Sequence, residues 1–242
     1  SDVYKRQFYE CEEIAAEHNG LEKIASWRPD LIDGDFAILM EPTDGRVEGG
    51  CQGTMRFTLE VPGRAAHSAR SWVGHNAIHD LSAVLERLNR WQERDPFVEV
   101  DGLTFREGLN ATMLDAGVAG NVIPPTATIQ INYRFAPDKT TEQARQYMED
   151  LFHEWPMNVL DLSAPARPGL DRPLAKSFVA AVGGEPGPKY GWTDVARFGQ
   201  LGIPAVNFGP GNALCAHQVD ECCRLGSLDE CYRALHTWLA SR

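Results

Sequence analysis

The chain has 242 residues, of which 43% are hydrophobic and 24% are charged, and its formal net charge is −11. This composition is typical of a globular protein of one or two domains. The acidic balance argues against a nucleic-acid partner because no basic stripe offsets it. No apolar run approaches about 20 residues, so no membrane partner is predicted. The sequence shows no secretory leader, and its six scattered cysteines predict free thiols, so a cytoplasmic location is expected.

The first predicted elements are a buried strand, an alternating strand and an amphipathic helix. The apolar run FAILM at 36–40 predicts a buried strand that ends just before Glu41. Alternation over 53–61 predicts a half-buried strand, and Asn76 is expected to cap a helix that runs to about Trp91. The buried stripe of this helix is predicted to consist of Ile78, Leu81, Leu85 and Leu88.

The middle of the chain also shows alternating strand patterns and a helix pattern. A second alternating strand is predicted over 127–135, and Thr140 with Gln143 forms a plausible capping box for the next helix. A last strand is expected around 158–162. Residues 53–163 thus follow the order strand, helix, two strands, helix, strand, which is the order of a ferredoxin-like sandwich. Alternation in its strands predicts one sheet face under helices and one free face, as in a lid or a dimer surface.

After a linker at 164–173, the sequence again shows the alternating helix and strand patterns of an α/β domain. The sequence predicts a helix near 174–182, a helix capped by Thr193, a strand at 203–208 and a final helix capped by Ser227. The fold class is therefore α/β. Residues 1–52 and 164–242 are expected to form a catalytic domain, into which an α+β ferredoxin-like lid or dimerisation domain, residues 53–163, is inserted.

Three acids and a histidine are candidates for chemistry in the α/β part. Glu12 and Glu13 are adjacent, which most often means a solvated surface pair, although at a strand end the two side chains would point to opposite sides. Glu41 follows a buried strand and would lie at the carboxyl edge of a sheet, where open α/β folds place their sites. His217 follows a glycine-rich loop after a strand. Such a set suits Zn²⁺.

A second histidine, His67, lies in the inserted domain between Arg64 and Arg70. Together with Arg134, which is on the free face of a later strand, these residues form a candidate site for a carboxylate substrate. The alternative is an exposed polar loop. The sequence contains no G-x-S-x-G elbow, P-loop or G-x-G-x-x-G motif, which argues against a serine hydrolase and a nucleotide-binding protein.

Seven motifs in order resemble the dinuclear-zinc amidohydrolases, the metallopeptidase family of deacylases, aminoacylases and carboxypeptidases. The motifs are FYECEE, EPT, GRAAHSAR with a following NAIH, GNVIP, NYRF, GWTDVARF and FGPG…AH. The resemblance covers nearly all of the chain after residue 7. It implies a zinc-peptidase-like catalytic domain, a homodimer, a small acidic substrate and two Zn²⁺ ions per subunit, with Co²⁺ as an alternative metal.

The resemblance also implies roles for individual residues. Glu12 would be the general base, and His67 would reach the site of the partner subunit to polarise the scissile carbonyl. The implied metal ligands are Glu13, Glu41 and His217, with Glu13 and His217 on one metal. The implied substrate contacts are Arg134, Asn121 and Thr193, to which Arg70 is added from its position beside His67.

The sequence departs from the family at its start. It begins with Ser1, and the His-x-Asp motif and the bridging aspartate that the family carries upstream of the paired acids are not in it. We therefore expect a piece of a longer frame that by itself binds zinc weakly and is inactive. An amide hydrolase, another deacylase or carboxypeptidase of the family, and an inactive dimerising fragment remain open functions.

Overall fold

The computed structural model describes residues 4–12, 18–216 and 218–241, and its mixed α/β architecture confirms the predicted fold class. The α-helices are α1 (Gly20–Trp27), α2 (Ala77–Gln92), α3 (Thr141–Leu151), α4 (Pro173–Val182), α5 (Val195–Gln200) and α6 (Leu225–Ala240). The strands are β1 (Ala37–Leu39), β2 (Glu48–Gly49), β3 (Gly53–Pro62), β4 (Ala66–His67), β5 (Phe97–Val100), β6 (Leu103–Arg106), β7 (Gly108–Ala116), β8 (Val122–Ile123), β9 (Thr126–Phe135), β10 (Met157–Ser163), β11 (Gly187–Pro188) and β12 (Ala205–Asn207).

The chain divides into two compact units. The first unit comprises Ser1–Gln52, Glu99–Phe105 and Pro165–Arg242, and the second comprises Gly53–Val98 and Arg106–Ala164. The tip of the β5–β6 hairpin thus belongs to the first unit and its base to the second. The first unit is assembled from three separated stretches of sequence, whereas the second is nearly continuous.

The first unit is built on a four-stranded mixed sheet in the order β1-β12-β2-β11. Successive side chains of a strand point to opposite faces, and the two faces have separate cores. On one face Leu39 packs with Val195 and Ala196 at the start of α5. On the other face Phe178 of α4 and Trp238 of α6 pack edge to face, with ring centroids 5.2 Å apart. The sheet therefore lies between two helical layers.

The second unit is a four-stranded antiparallel sheet in the order β10-β3-β9-β7, the strand order of a ferredoxin-like sandwich. Alternate residues of β9 from Ala127 to Phe135 are buried, and the intervening ones are half-buried. The buried set joins β3, α2 and α3 in one core. Gly53 faces the Phe135 ring, where a Cβ would lie 2.2 Å from a ring carbon, so the strand start requires glycine.

A buried carboxylate organises one end of the second unit. The side chain of Glu107 is 2% exposed and accepts hydrogen bonds from the Tyr133 hydroxyl at 3.2 Å, the Ala136 amide at 3.0 Å and Lys139 Nζ at 2.9 Å. Burial, followed by the charge and hydrogen bond of Glu107, raises the pKa of Tyr133. This carboxylate therefore connects the start of β7 with the end of β9 and the turn after it.

Helix caps show where sequence reasoning succeeds and fails. Asn76 caps α2, and the Thr140–Gln143 capping box is present at α3, as predicted. The prediction that Thr193 caps a helix is wrong, because its hydroxyl donates instead to Asn207 Oδ1 at 2.9 Å. Ser227 is not a cap either, since α6 begins at Leu225 and the Ser227 hydroxyl donates to the Arg224 carbonyl.

Two of the four residues predicted to form the buried stripe of α2 are in fact buried. Leu81 and Leu88 are buried, together with Ala77, Val84 and Trp91, which lie outside the predicted stripe. Ile78 and Leu85, two turns apart, are 42% and 44% exposed. The buried stripe is thus rotated around the helix relative to the prediction, and an apolar pair remains on the outer surface.

All six cysteines are free, as predicted, with Cys51 and Cys231 buried. Burial raises the pKa of the Cys51 thiol to about 11. None of the helices in the described part of the chain is long and apolar enough to cross a membrane.

Candidate active site

The carboxyl ends of β1 and β12 lie side by side because these strands are parallel neighbours, with Leu39 opposite Asn207. Glu41 follows β1, and a glycine loop follows β12. The Thr43 and Gly45 amides donate to the Gly209 carbonyl at 3.3 and 3.0 Å, and the Gly209 amide donates to Thr43 Oγ1 at 3.1 Å. A Cβ on Gly209 would lie 2.5 Å from the Glu41 carbonyl oxygen. Only glycine permits this approach, which fixes Glu41 beside the loop.

Burial and several acids raise the pKa of Tyr9. The pKa of Tyr9 is raised mainly by burial, then by the charge and hydrogen bond of Asp194, and then by the negative charges of Glu12 and Glu41. Charges act on a neighbour in this way only over short distances in a protein. Tyr9 and Asp194 are therefore hydrogen-bonded neighbours, and the charges of Glu12 and Glu41 both act on Tyr9.

Asp194 is the most buried acid of this site, with 0% exposure. Its carboxylate accepts from Asn19 Nδ2 at 3.1 and 3.2 Å and from Arg197 Nε at 2.6 Å. The charge of Glu12 also acts on Arg197, whose pKa is lowered chiefly by burial. The predicted general base thus acts electrostatically on this charged network.

Thr193, a predicted substrate contact, lies next to this network. Its side chain is held by Asn207 at the end of β12, and its carbonyl accepts a weak hydrogen bond from the Cys51 thiol at 3.6 Å. Asn207 is fully buried and donates to the Glu48 and Gly50 carbonyls at 3.4 and 3.3 Å. Thr193 is therefore fixed at the same sheet edge as Glu41.

The structure brings His67 and Asn121 together in the second unit. His67 in β4 pairs with Val122 in β8, and the Ser68 amide donates to the Asn121 carbonyl at 2.9 Å. His67 is exposed, with Nδ1 accepting from the Ala69 amide at 3.1 Å. Arg70 follows in the short exposed helix that His67 caps. This arrangement leaves His67 Nε2 as the atom available for chemistry.

Arg134 is not part of this group. It lies near the end of β9, where its Nε donates to Asn132 Oδ1 at 3.1 Å. His67 pairs with a residue that precedes β9. The strand rises about 3.4 Å per residue, so the eight steps from Thr126 to Arg134 span about 27 Å. Within one copy of this unit, His67 and Arg134 are therefore at opposite ends of the sheet.

Two predicted metal ligands, Glu13 and His217, lie outside the described residues, and Glu41 is the one predicted ligand within them. Among the residues that the structure describes, no group of three or more His, Cys, Asp or Glu is arranged to hold a metal ion. The side chain of Glu41 fits the metal that the motifs imply, because carboxylate oxygens are common ligands of Zn²⁺.

Sequence reasoning overlooked Tyr9, Asn19 and Asp194 as members of the site. Tyr9 and Asp194 lie inside two of the motifs, FYECEE and GWTDVARF, and Asn19 closes the segment after the paired acids. Two of these three residues thus belong to motifs that were recognised in the sequence. The contact between Asn19 and Asp194, about 175 positions apart, can be seen only in the folded chain.

The first similarity of this chain to known proteins lies in its middle part. Residues 50–154 match the peptidase dimerisation domain family designated M20_dimer. The chain therefore contains a dimerisation domain of the M20 type. Its similarity extends to particular members: it is 50% identical to a Mycobacterium tuberculosis H37Rv protein named as the succinyl-diaminopimelate desuccinylase DapE, and 40% identical to the succinyl-diaminopimelate desuccinylase of Corynebacterium glutamicum.

Both alignments cover 96% of this chain, and the chain spans 66% and 64% of the lengths of these two relatives. Among solved structures, a tripeptidase from Staphylococcus aureus matches 92% of this chain and 61% of its own, with a TM-score of 0.69 at 18% identity. The M20 family metallo-carboxypeptidase Sso-CP2 from Sulfolobus solfataricus matches 91% of this chain and 66% of its own, with a TM-score of 0.67 at 16% identity. At this identity the structural matches establish the fold.

Proposed function

We propose that the protein to which this chain belongs is a cytoplasmic, metal-dependent amide hydrolase that removes succinate from N-succinyl-LL-2,6-diaminopimelate, in lysine and diaminopimelate biosynthesis. The observation that carries the proposal is the position of Glu41, which follows β1 and lies beside the glycine loop after β12 at the carboxyl edge of the first sheet. The similarity to proteins named desuccinylase supports the choice of substrate. In this proposal residues 1–52 and 164–242 are catalytic, and residues 53–163 form the lid or dimerisation domain.

Each site residue has a defined task in this proposal. Zinc, or Co²⁺, would be held by Glu13, Glu41 and His217, and when bound it would acidify a water molecule and polarise the scissile carbonyl. Glu12 would accept the proton of the attacking water and deliver it to the leaving amine.

The remaining predicted residues would act on the substrate. His67 would donate a hydrogen bond to the carbonyl oxygen as negative charge develops on it, and it would do so in the site of the partner subunit. The acidic groups of the substrate would be bound by Arg134, Arg70, Asn121 and Thr193. The separation of His67 from Arg134 along β9 favours contributions to one site from two copies of the chain.

The second unit offers a surface for a homodimer. β7 is an edge strand of the sheet, and its residues from Asn110 to Ala116 are exposed. Met113 and Leu114 are 66% and 60% exposed. An exposed apolar edge strand is a template for pairing with another chain, and residues of this unit match a dimerisation domain. We therefore infer that β7 lies in the dimer interface.

Sedimentation velocity is expected to show a dimer at high micromolar concentration, and Leu114→Lys should weaken dimerisation at least about tenfold by placing a charge in an apolar contact. Leu160→Lys is the matched control, because Leu160 is 46% exposed on β10, the opposite edge of the same sheet. A monomeric parent chain, or equal effects of both substitutions, would contradict this interface and the role of His67 in the partner's site.

The amidase proposal is tested by metal analysis and hydrolysis on two forms of the protein. The 242-residue chain is expected to retain little zinc after gel filtration and to show no turnover. A catalytic zinc normally needs three protein ligands, whereas the assigned residues give one metal only Glu13 and His217 and the other metal only Glu41. A form extended to the length of the relatives should bind two zinc ions and release succinate. Stoichiometric zinc and turnover in the 242-residue chain would show that the ligand assignment is wrong.

A panel of acylated substrates, tested on the extended form, distinguishes a desuccinylase from another deacylase or carboxypeptidase. Preference for an acetylated or peptide substrate would favour another deacylase or carboxypeptidase, such as an acetylornithine deacetylase, over a desuccinylase. An extended form that binds no metal and hydrolyses none of the panel would favour an inactive dimerising protein.

A further inference from the structure

Two of the sequence motifs lie against each other in the first unit. The motif EPT at 41–43 follows β1, and the motif FGPG at 208–211 follows β12. The two strands are parallel neighbours, and the Phe208 amide still donates to the Leu39 carbonyl at 2.8 Å. Beyond this hydrogen bond the strand pairing ends, so the two loops are held together by other contacts.

The chain after Glu41 folds back in a tight turn. The Arg46 amide donates to the Thr43 carbonyl at 3.1 Å. The two residues between them, Asp44 and Gly45, have positive φ values of 52° and 74°. Two successive positive φ values with this hydrogen bond define a type I′ turn. The backbone that follows Glu41 therefore has a defined course.

Backbone hydrogen bonds join this turn to the glycine loop after β12. The Thr43 and Gly45 amides both donate to the Gly209 carbonyl, at 3.3 and 3.0 Å. The Asp44 amide donates to the Gly211 carbonyl at 2.7 Å. These bonds join backbone atoms on both sides, so they do not depend on the side chain of residue 43.

The Thr43 hydroxyl adds a contact that does depend on this side chain. It accepts from the Gly209 amide at 3.1 Å, and it can donate to the Arg46 carbonyl at 2.6 Å or to the Gly209 carbonyl at 3.2 Å. Thr43 is 4% exposed, and Gly209 is buried as well. Because a buried amide without an acceptor is costly, the Gly209 amide depends on the Thr43 hydroxyl.

We propose that Thr43 is a positioning residue, whose hydroxyl fastens the loop that carries Glu41 to the glycine loop after β12. The use of this contact in metal binding rests on the function proposed above for Glu41, while the contact itself rests on the hydrogen bonds. Residues that orient a metal ligand through hydrogen bonds typically contribute about 10–100-fold to metal affinity or activity. Thr43 acts in this way on the backbone beside Glu41.

The contact is tested first without reference to metal or activity, by hydrogen–deuterium exchange on the 242-residue chain. Thr43→Val keeps the shape of the side chain and replaces its hydroxyl by a methyl group. Exchange of the amides in residues 43–46 and 209–212 is expected to rise about tenfold or more, while the amides of α4 and α6 keep their rates. Thr43→Ser retains the hydroxyl and should keep exchange within about threefold of the parent.

Thr104→Val is the matched control for this experiment. Thr104 lies in the same unit, is exposed, and donates to the Glu99 side chain at 2.6 Å, so its replacement should leave exchange in the two loops unchanged. Unchanged exchange in Thr43→Val would overturn the proposal, and so would an equal rise in α4 and α6, which would show general destabilisation. A Thr43→Ser variant that exchanges as fast as Thr43→Val would overturn it too, since the hydroxyl would then not be the cause.

The positioning role is tested on the form extended to the length of the relatives, with Co²⁺ as a metal that has a visible absorption spectrum. Thr43→Val is expected to raise the Kd of one Co²⁺ ion about 10–100-fold, measured by competition with a chelator. It should also change the visible spectrum, which reports the arrangement of the ligands around the metal. Thr43→Ser and Thr104→Val should match the parent in both measurements.

Kd values within about twofold of the parent would overturn the positioning role even if exchange increases. A higher Kd with an unchanged spectrum would do so as well, because the arrangement of the ligands would then be the same. If the extended parent binds no metal, the function proposed for Glu41 fails and the positioning role falls with it. The exchange experiment still decides whether the Thr43 hydroxyl holds the two loops together.

Discussion

Glu12→Gln in the form extended to the length of the relatives is expected to lower kcat by about 10²–10⁴, the contribution typical of a general base. Glutamine has nearly the shape of glutamate but cannot accept a proton from water at neutral pH. Zinc content should equal that of the parent, because Glu13, not Glu12, is assigned to the metal. The measurements are succinate release under saturating substrate and metal analysis of the same sample.

Glu10→Gln serves as the control for this experiment. It makes the same chemical change two residues earlier, on a side chain that is exposed. Its kcat should remain within about twofold of the parent. Loss of zinc in Glu12→Gln would assign Glu12 to the metal instead, and an unchanged kcat would remove it from the role of base.

Glu107→Ala is expected to lower the free energy of unfolding by about 3–5 kcal/mol, the range seen when one partner of a buried ion pair is removed. Three donors lose their acceptor in this variant: the Tyr133 hydroxyl, the Ala136 amide and Lys139 Nζ. Tyr133 is fully buried, so water cannot easily replace the lost carboxylate. Urea denaturation of the 242-residue chain, followed by tryptophan fluorescence, gives the value.

Two further variants serve as references for the loss of unfolding free energy in Glu107→Ala. Glu154→Ala removes an acid that is 48% exposed and paired with Arg87, so it should cost no more than about 1 kcal/mol. Glu107→Gln retains a carbonyl acceptor and should fall between the two. A loss below about 1.5 kcal/mol in Glu107→Ala would show that the buried network contributes little to stability.

The elements predictable from sequence are those with one buried and one exposed face. β3 and β9 alternate clearly, and the caps of α2 and α3 use side chains whose partners are two or three residues away. β7 could not be located in this way because its residues after Leu109 are exposed on both faces and show no period. The stripe of α2 could not be placed correctly because Ile78 and Leu85 are apolar without being buried.

Candidate site residues can be proposed from the sequence where a motif itself carries the chemistry, as with Glu12 and Glu41. The pairing of Asn19 with Asp194 could not be predicted, because the two residues make their contact only after the chain has folded. The caps assigned to Thr193 and Ser227 failed for a related reason. Both residues have a hydroxyl in a suitable sequence context, but long-range pairing with Asn207 in one case, and an earlier helix start in the other, decided the outcome.

The division of the first unit into three stretches has a consequence for synthesis on the ribosome. β3, β7, β9 and β10 can all pair once residue 163 has been made, so the second unit can fold while the chain is still growing. β1 must wait for its parallel neighbour, because Leu39 pairs with Asn207 roughly 170 residues later. At about 5–20 residues per second, the apolar strand around Ile38 waits about 10–30 s for its partner. During this interval the backbone groups of this strand lack the neighbour with which they pair in the folded chain.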